Sequence, residues 1–220
     1  MKKHIFFDLD GTITDSKAGI VRAAQYALQA FRISMTEEEL LPFIGPPLQD
    51  SFGKIFPHSP EKVELAKQKY REYYTETGIF ECQLYEGIAA LLRELCRAGH
   101  RLCLATSKPE VFALRILEHF SLSDCFLHVA GAELSGPRNS KPDVLRHACA
   151  LCGADDMQHC LMVGDRKYDV CGAHELGMDC AAVLYGYGSR RELEEAGAKW
   201  MCETVEDLRR ALFFWSGIAR

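Results

Sequence analysis

The sequence predicts an α/β fold, in which a doubly wound and mostly parallel sheet carries an inserted helical domain. Short apolar runs with strand character alternate with amphipathic helical stretches through most of the chain, which is typical of a parallel sheet with helices on both faces. Between residues 15 and 81 this alternation stops, and several helical stretches follow one another without a convincing strand. We therefore expect an α/β core at residues 1–14 and 82–220, and a small helical domain at 15–81.

The first predicted strand is the apolar run at residues 4–7, which leads into Asp8-Leu9-Asp10-Gly11-Thr12. Side chains alternate along a strand, so Asp8 and Asp10 point to the same side. Two neighbouring carboxylates repel each other and lose solvation when buried, and a cation between them relieves both costs. Gly11 allows a sharp turn. A solvated Asp-Gly turn after a strand is the alternative interpretation.

The predicted helical domain begins at residues 17–31, where apolar residues recur with a period of about 3.6. Thr36 and Glu39 form a capping box for a second helix. Residues 44–48, Ile-Gly-Pro-Pro-Leu, are predicted as a loop because a helix interior does not accept them. A third helix is predicted over residues 60–77.

Helices and strands alternate from residue 85 to the end of the chain. The predicted strands are short apolar runs, at residues 101–105, 125–130, 160–163, 180–184 and 199–202. The predicted helices begin near Gly87, Pro109, Lys141, Ser189 and Thr204, and a further helix is predicted to follow GDRKYD and to end at Leu176. Pro109 is expected at the first helical position, where its missing N–H costs nothing.

The composition excludes several classes of protein. The chain has 220 residues, 48% of them hydrophobic, and a formal net charge of −5. No long run of Lys and Arg indicates a nucleic-acid partner, and no apolar stretch reaches the ~18 residues of a membrane span. No signal-peptide pattern precedes the first strand. We expect a cytoplasmic protein that is a monomer or a weak homodimer.

The ten cysteines are scattered, and most fall at apolar positions of predicted helices and strands. Cys149 and Cys152 form a lone CxxC within a helical pattern, without a second pair or the histidine spacing of a zinc site. We interpret the cysteines as small buried hydrophobic side chains in a reducing compartment.

Polar groups follow several predicted strands at the point where each strand ends. Thr106 and Ser107 follow one strand, Asp165 and Asp169 follow another, and Lys141 opens a helix. The carboxyl ends of parallel strands share one edge of the sheet, where ligands bind. Carboxylates suit Mg²⁺, and lysine, hydroxyl and helix-start N–H groups suit phosphate. Each group alone also has a simple structural role, as a cap, a surface lysine or a turn.

This set of motifs resembles that of the haloacid dehalogenase-like phosphohydrolases, over essentially the whole chain. The matching stretches are DLDGT, Thr-Ser-Lys after a strand, Lys-Pro at a helix start, and GDRKYD. The resemblance implies a Rossmann-like core, and the helical insertion is similar to the small α-helical cap of this family. Gly45-Pro46-Pro47-Leu48 and the overall layout look most similar to the phosphoglycolate phosphatase branch.

The resemblance implies a catalytic role for the first motif. Asp8 would be the nucleophile that forms an aspartyl-phosphate, and Asp10 the general acid and then the general base. Asp8, the backbone carbonyl of Asp10, and Asp165 would bind Mg²⁺, with Asp169 supporting them from close by. The Asp8 carboxylate would have to attack a phosphate that is itself anionic, so positive charge must neutralise the negative charge of the phosphate.

The resemblance also implies a phosphate-binding set formed by Gly11, Thr106, Ser107 and Lys141. Arg138-Asn139-Ser140 precede Lys141, so a further basic residue is expected to share the site. In the inserted domain, Gly45, Lys54 and Arg71 are candidates for substrate contact.

The expected function is Mg²⁺-dependent hydrolysis of a small phosphorylated metabolite, similar to phosphoglycolate. The same branch contains 5'-nucleotidase-like and pyrophosphatase-like members. Phosphomutases resembling β-phosphoglucomutase have a histidine soon after the first motif, and residues 13–22 contain none. A further alternative is a non-catalytic binding protein with the same fold. Such a protein would be free to lose an aspartate of the site, yet the chain has all four, Asp8, Asp10, Asp165 and Asp169.

Overall fold

The computed structural model describes residues 3–217, and the chain folds as two compact units. One unit comprises Met1–Thr14 and Leu84–Arg220, and the other comprises Asp15–Gln83. The sequence placed the end of the inserted part at residue 81. The extreme ends of the expected core, residues 1–2 and 218–220, lie outside the described residues.

Six of the strands lie at the positions where the apolar runs predict them, with shifts at their ends, and two short strands, β2 and β3, were not predicted. They are β1 (His4–Phe7), β2 (Thr14–Asp15), β3 (Gln83–Leu84), β4 (Arg101–Pro109), β5 (His128–Ala132), β6 (Cys160–Gly164), β7 (Asp179–Val183) and β8 (Trp200–Cys202). β2 and β3 form a separate two-stranded sheet.

The α-helices of residues 3–217 fall in both units. They are α1 (Lys17–Gln29), α2 (Glu37–Leu40), α3 (Leu48–Ile55), α4 (Pro60–Glu76), α5 (Ile88–Arg97), α6 (Glu110–His119), α7 (Lys141–Cys152), α8 (Lys167–Glu175), α9 (Arg190–Glu195) and α10 (Val205–Ser216). Within this described part, every helix is too short or too polar to cross a bilayer.

The main sheet has six parallel strands in the order β5-β4-β1-β6-β7-β8. β1 lies between β4 and β6, and pairs His4 with both Arg101 and Cys160. Ile5, Phe6 and Phe7 are fully buried, because a central parallel strand is covered by helices on both faces. The α/β fold predicted from the sequence is confirmed.

The inserted unit is helical and has its own apolar contacts. Thr36 and Glu39 form the predicted capping box of α2. Phe52 on α3 contacts the rings of Phe43 and Tyr70 edge-on. The stretch predicted as a loop ends one residue early, since Leu48 is the first residue of α3.

The largest correction to the predicted elements concerns β4, which continues four residues beyond its predicted end and stops only at Pro109. Pro109 therefore precedes α6, which begins at Glu110, and is not the first helical residue. The chain after Ala105 keeps extended pairing with β5, with a shift in register between Thr106 and Pro109. Apolar patterning could not reveal this extension, because its side chains are polar.

Two cysteines differ from the interpretation that all ten are unpaired. The structure joins Cys103 of β4 to Cys152 of α7 as a disulfide, so that interpretation is wrong for this pair. The other cysteine of the CxxC motif, Cys149, is free and buried. The partner of Cys152 is distant in sequence, and spacing along the chain gave no signal for it.

Candidate active site

Asp8 and Lys141 form the buried centre of the candidate site. Asp8 directly follows β1, and its N–H donates to the carbonyl of Val163 at 2.9 Å, which holds it beside β6. Lys141 is the first residue of α7. Its ammonium lies 3.0 Å from Asp8 Oδ1 and 2.7 Å from Asp169 Oδ1, and donates to the carbonyl of Ala105 at 3.0 Å. The lysine thus connects the ends of β1 and β4 with α8.

The charges of this centre are strongly coupled. Burial raises the pKa of Asp8, although Lys141 opposes the change and Asp169 adds to it. Burial alone would lower the pKa of Lys141, but Asp169 and Asp8 together raise it. The two carboxylates therefore favour the charged form of Lys141, and its one positive charge is shared between them.

Asp165 follows β6, which pairs with β1 on the side away from β4. Its side chain is fully buried. Its Oδ2 accepts from the N–H of Tyr187 at 2.8 Å, and its Oδ1 from the hydroxyl of Thr12 at 3.4 Å. Burial, with further repulsion from Asp169 and Asp8, raises the pKa of Asp165 well above its ordinary value.

Gly11 is required by this arrangement for two reasons. Its φ is +86°, in the left-handed region, and a Cβ there would lie 2.2 Å from Asp165 Oδ2. A side chain at position 11 would therefore strain the backbone and displace a carboxylate of the site. The glycine of DLDGT therefore leaves room for the carboxylate of Asp165, in addition to allowing the turn.

The spacing of GDRKYD also has a structural explanation. Asp169 lies in the first turn of α8, and its Oδ2 accepts from the N–H of Arg166 at 3.0 Å. A Cβ at Gly164 would lie 2.2 Å from the Cγ of Asp169. The motif thus covers the end of β6, a turn and the start of α8. It places the carboxylate of Asp169 against the end of β6.

Three of these carboxylates form a set that suits a hard divalent cation. Ligand oxygens of Asp8, Asp165 and Asp169 all lie within 4.8 Å of one another, and all three side chains are buried. Oxygen donors of this kind fit Mg²⁺. A bound cation would also relieve the burial and repulsion that raise the pKa of Asp8 and Asp165. Asp169 is a member of this set, whereas the sequence suggested that it only supports the ligands from close by. The carboxylate of Asp10 lies outside the set.

Asp10 instead pairs with a lysine that the sequence did not single out. Asp10 Oδ2 lies 2.6 Å from Lys108 Nζ, and the two side chains are only 12% and 6% exposed. Lys108 is two residues beyond Thr106 in β4, so the unpredicted extension of that strand places both on one side. Had the predicted strand been extended through Thr-Ser-Lys-Pro, the alternation of side chains would have placed Lys108 on the same side as Thr106.

The phosphate-binding residues predicted beside Asp8 have different surroundings. Thr106 is buried and lies close enough to Asp8 to oppose the rise in the pKa of that carboxyl, and its Oγ1 accepts from the N–H of Lys108 at 3.2 Å. Ser107 is half-buried between them in sequence. Arg138 does not supply the expected further basic residue, because its guanidinium binds Glu110 and the carbonyl of Gly131.

The three substrate candidates of the inserted unit are more exposed. Gly45 is exposed and has a φ of +105°, and Lys54 is exposed in the last turn of α3. Arg71 is half-buried and lines a depression on α4 with Glu61 and Glu64.

A family comparison matches this arrangement of strand ends and acids. The model of haloacid dehalogenase-like hydrolases matches residues 5–183 of the chain. The chain belongs to this family. The resemblance derived from the motifs is thereby confirmed, and the matched range includes every carboxylate of the site in this haloacid dehalogenase-like hydrolase.

Individual relatives of this haloacid dehalogenase-like hydrolase match along nearly its full length. A 5'-nucleotidase of Pseudomonas aeruginosa is 40% identical over 212 residues, which cover 95% of each chain. Tyrosine-protein kinase PtkA of Mycobacterium tuberculosis is 39% identical over 211 residues, covering 94% of this chain and 72% of that protein. The crystal structure of a predicted phosphatase from Clostridium acetobutylicum has a TM-score of 0.93, with 39% identity, and covers 97% of this chain and 99% of that one. This family member is a phosphoric ester hydrolase.

Thermal unfolding should reveal the cation site through its pH dependence. The raised pKa values of Asp8 and Asp165 mean that ionising these acids costs the folded state stability as pH rises above their ordinary range. A Mg²⁺ ion at this set would bind the ionised acids, so Mg²⁺ should increase the melting temperature more at pH 8 than at pH 5. At roughly 100 times its Kd, a ligand of the folded state adds about 2.7 kcal/mol.

The control for this measurement is Asp165→Asn, which removes a charge from the cation site. The variant should lose most of the Mg²⁺-dependent increase at pH 8. An increase of the same size at both pH values, or one that Asp165→Asn retains, would show that Mg²⁺ binds elsewhere.

Proposed function

We propose that this hydrolase is a Mg²⁺-dependent phosphatase that acts on small phosphorylated metabolites through an aspartyl-phosphate on Asp8. The observation that carries the proposal is the contact of 3.0 Å between Lys141 Nζ and Asp8 Oδ1, at the carboxyl end of the central strand. A carboxylate can attack an anionic phosphoryl group only where positive charge is concentrated. A buried lysine beside the nucleophile supplies part of that charge.

The reaction has two half-reactions. In the first, an oxygen of Asp8 bonds to phosphorus, the bond from phosphorus to the leaving oxygen breaks, and Asp10 gives that oxygen a proton. In the second, water attacks the phosphorus, its proton passes to Asp10, and the bond from Asp8 to phosphorus breaks.

The remaining groups of the site bind and neutralise the phosphoryl group. Thr106 and Lys141 donate to its oxygens, and Gly11 and Ser107 contribute from the adjoining turns. Mg²⁺, held by Asp8, Asp165 and the backbone carbonyl of Asp10, would supply further neutralisation of charge when bound. Asp169 anchors Lys141 through the ion pair of 2.7 Å.

The substrate class is supported by two kinds of similarity. A relative with 40% identity over 95% of the chain carries the name 5'-nucleotidase, which supports nucleoside 5'-monophosphates. Gly45-Pro46-Pro47-Leu48 resembles the phosphoglycolate phosphatase branch and supports a small carboxylated phosphate. We rank nucleoside monophosphates first, because the 5'-nucleotidase relative is 40% identical over 95% of the chain.

A panel of phosphorylated compounds with Mg²⁺, read by release of inorganic phosphate, tests the proposal. The panel contains nucleoside 5'-monophosphates, phosphoglycolate, pyrophosphate and 4-nitrophenyl phosphate. Because PtkA is named a tyrosine-protein kinase, a parallel arm offers ATP and a tyrosine peptide and measures phosphotyrosine. We expect phosphate release that stops with excess chelator and returns with Mg²⁺. No release from any compound with Mg²⁺ present would contradict the proposal.

Substitutions in the inserted unit should change substrate ranking without changing the basic chemistry. We expect Lys54→Ala and Arg71→Ala to alter kcat/KM for the preferred metabolite about 10-fold, the effect of one lost charged contact. Their effect on 4-nitrophenyl phosphate should be small. Equal losses on both substrates would indicate that these residues only stabilise the fold. Lys62→Ala, another exposed change in the same unit, is the matched control.

A further inference from the structure

The ion pair between Lys108 and Asp10 joins two elements that are distant in sequence. Lys108 is near the end of β4 and Asp10 follows β1, and their charged atoms lie 2.6 Å apart. Both side chains are almost fully buried. A buried ion pair repays its desolvation only when its geometry is good, so the two groups hold each other in place.

The lysine is fixed at its backbone as well as at its ammonium. The N–H of Lys108 donates to Thr106 Oγ1 at 3.2 Å, and the residue belongs to a strand that pairs with β5. Ala105, next to Thr106 in the same strand, accepts through its carbonyl from the ammonium of Lys141 at 3.0 Å, and that ammonium lies 3.0 Å from Asp8 Oδ1. The position of the Asp10 carboxylate is therefore set by the same strand end that contacts the nucleophile.

The two oxygens of Asp10 have different environments. Oδ2 accepts from the Lys108 ammonium, whereas Oδ1 is buried and has no hydrogen-bond partner among residues 3–217. A buried acceptor without a partner destabilises the folded protein, because it has lost its hydrogen bonds to water. A group that donates to Oδ1, or shares a proton with it, would remove that destabilisation.

We infer that Lys108 is a positioning residue that pins Oδ2 of Asp10 and leaves Oδ1 as the oxygen that exchanges the proton with the leaving group. This inference rests on the proposed function, in which Asp10 gives a proton in the first half-reaction and takes one in the second. Lys108 then acts through Asp10, whereas Lys141 acts on Asp8 and the phosphoryl group. The two buried lysines of residues 3–217 thus contact the two different carboxylates of DLDGT.

Leaving groups of different acidity separate the two roles. An aryl phosphate such as 4-nitrophenyl phosphate leaves as a stable anion and needs little protonation, whereas an alkyl phosphate needs a proton on the departing oxygen. Lys108→Met should lower kcat for the best alkyl phosphate of the panel about 10²-fold, the cost of misplacing a catalytic group by about 1 Å. The loss on 4-nitrophenyl phosphate should be several-fold smaller, with little change in KM.

A double-mutant cycle tests whether Lys108 acts through Asp10. Asp10→Asn removes the proton transfer, so adding Lys108→Met to that variant should cost little more on the alkyl substrate. An undiminished loss in the Asp10→Asn background, or equal losses on alkyl and aryl substrates, would overturn the inference and place Lys108 on the phosphoryl group. Absence of phosphate release by the unmodified protein would instead contradict the proposed function.

Two further variants separate positioning from folding. Lys108→Arg keeps a cation that can donate to Asp10 Oδ2, and should recover part of the alkyl-specific loss; if it folds and recovers none, the inference is wrong. Lys199→Met removes another lysine that pairs with an aspartate, Asp179, but on the surface, and should leave both substrates unaffected. Circular dichroism of each variant accompanies the kinetics. If Lys108→Met loses activity because it unfolds, the spectrum identifies this, and the activity of Lys108→Arg then decides whether the inference holds.

Discussion

Asp8→Asn should abolish turnover and leave the folded structure intact. The amide has the shape of the carboxylate but cannot attack phosphorus, and loss of a nucleophile typically costs roughly 10⁴-fold or more in kcat. Because burial raises the pKa of Asp8, the neutral amide also removes a charge that is costly to bury. The melting temperature without Mg²⁺ should therefore stay the same or rise at pH 8.

Phosphate release and thermal unfolding of the same preparation check this prediction. Asp124→Asn, an exposed aspartate of the same unit, is the matched control and should keep full activity. An Asp8→Asn variant that releases phosphate at the normal rate would rule out a covalent intermediate on this residue. A strong fall in stability at pH 8 would mean that the Asp8 charge supports the fold.

Lys141→Met should have the second large effect, on stability and activity together. Removing one partner of a buried ion pair leaves an uncompensated charge and typically costs about 3–5 kcal/mol. Here two carboxylates, Asp8 and Asp169, would lose their shared cation. Activity should fall on alkyl and aryl phosphates alike, because every substrate presents the same phosphoryl group.

The loss of stability in Lys141→Met should depend on pH in a defined direction. The raised pKa of Lys141 keeps it charged throughout the neutral range, so the native protein gains its full contribution there. In the variant, Asp8, whose pKa burial raises, can take up a proton at low pH, and the loss should be smaller at pH 5 than at pH 8. Urea unfolding at both pH values measures it. A loss independent of pH would indicate missing packing and not missing charge. Lys167→Met, an exposed lysine of α8, serves as the control.

The sequence predicted the fold well because its strands are apolar and its site motifs follow them directly. Asp8 and Asp165 lie at strand ends that β1 and β6 bring together as neighbours, and hydrophobic patterning indicated both strands. Lys108 was missed because β4 continues through Thr-Ser-Lys-Pro, where pairing with β5 holds an extended chain that local patterning would end. Tertiary pairing, and not propensity, decides such a segment.

Partners distant in sequence were equally inaccessible to motif reasoning. Arg138 precedes Lys141 and suggested a further phosphate ligand, but Glu110 and Gly131 engage it. Nothing in the local sequence distinguishes a cation aimed at a site from one that binds a neighbouring loop. Spacing likewise gave no indication that Cys103 lies against Cys152.

The position of β1 at the centre of the sheet has a consequence for how the chain acquires its structure. β1 is synthesised before either neighbour, yet it pairs residue 4 with residues 101 and 160. Such pairing carries a high loop-closure cost and slows folding. Until β4 and β6 emerge, the apolar run Ile5-Phe6-Phe7 has no permanent partner and is exposed to aggregation. A nascent chain that ends before β6 therefore lacks one of the two pairings of its first strand, and also Asp165 and Asp169 of the site.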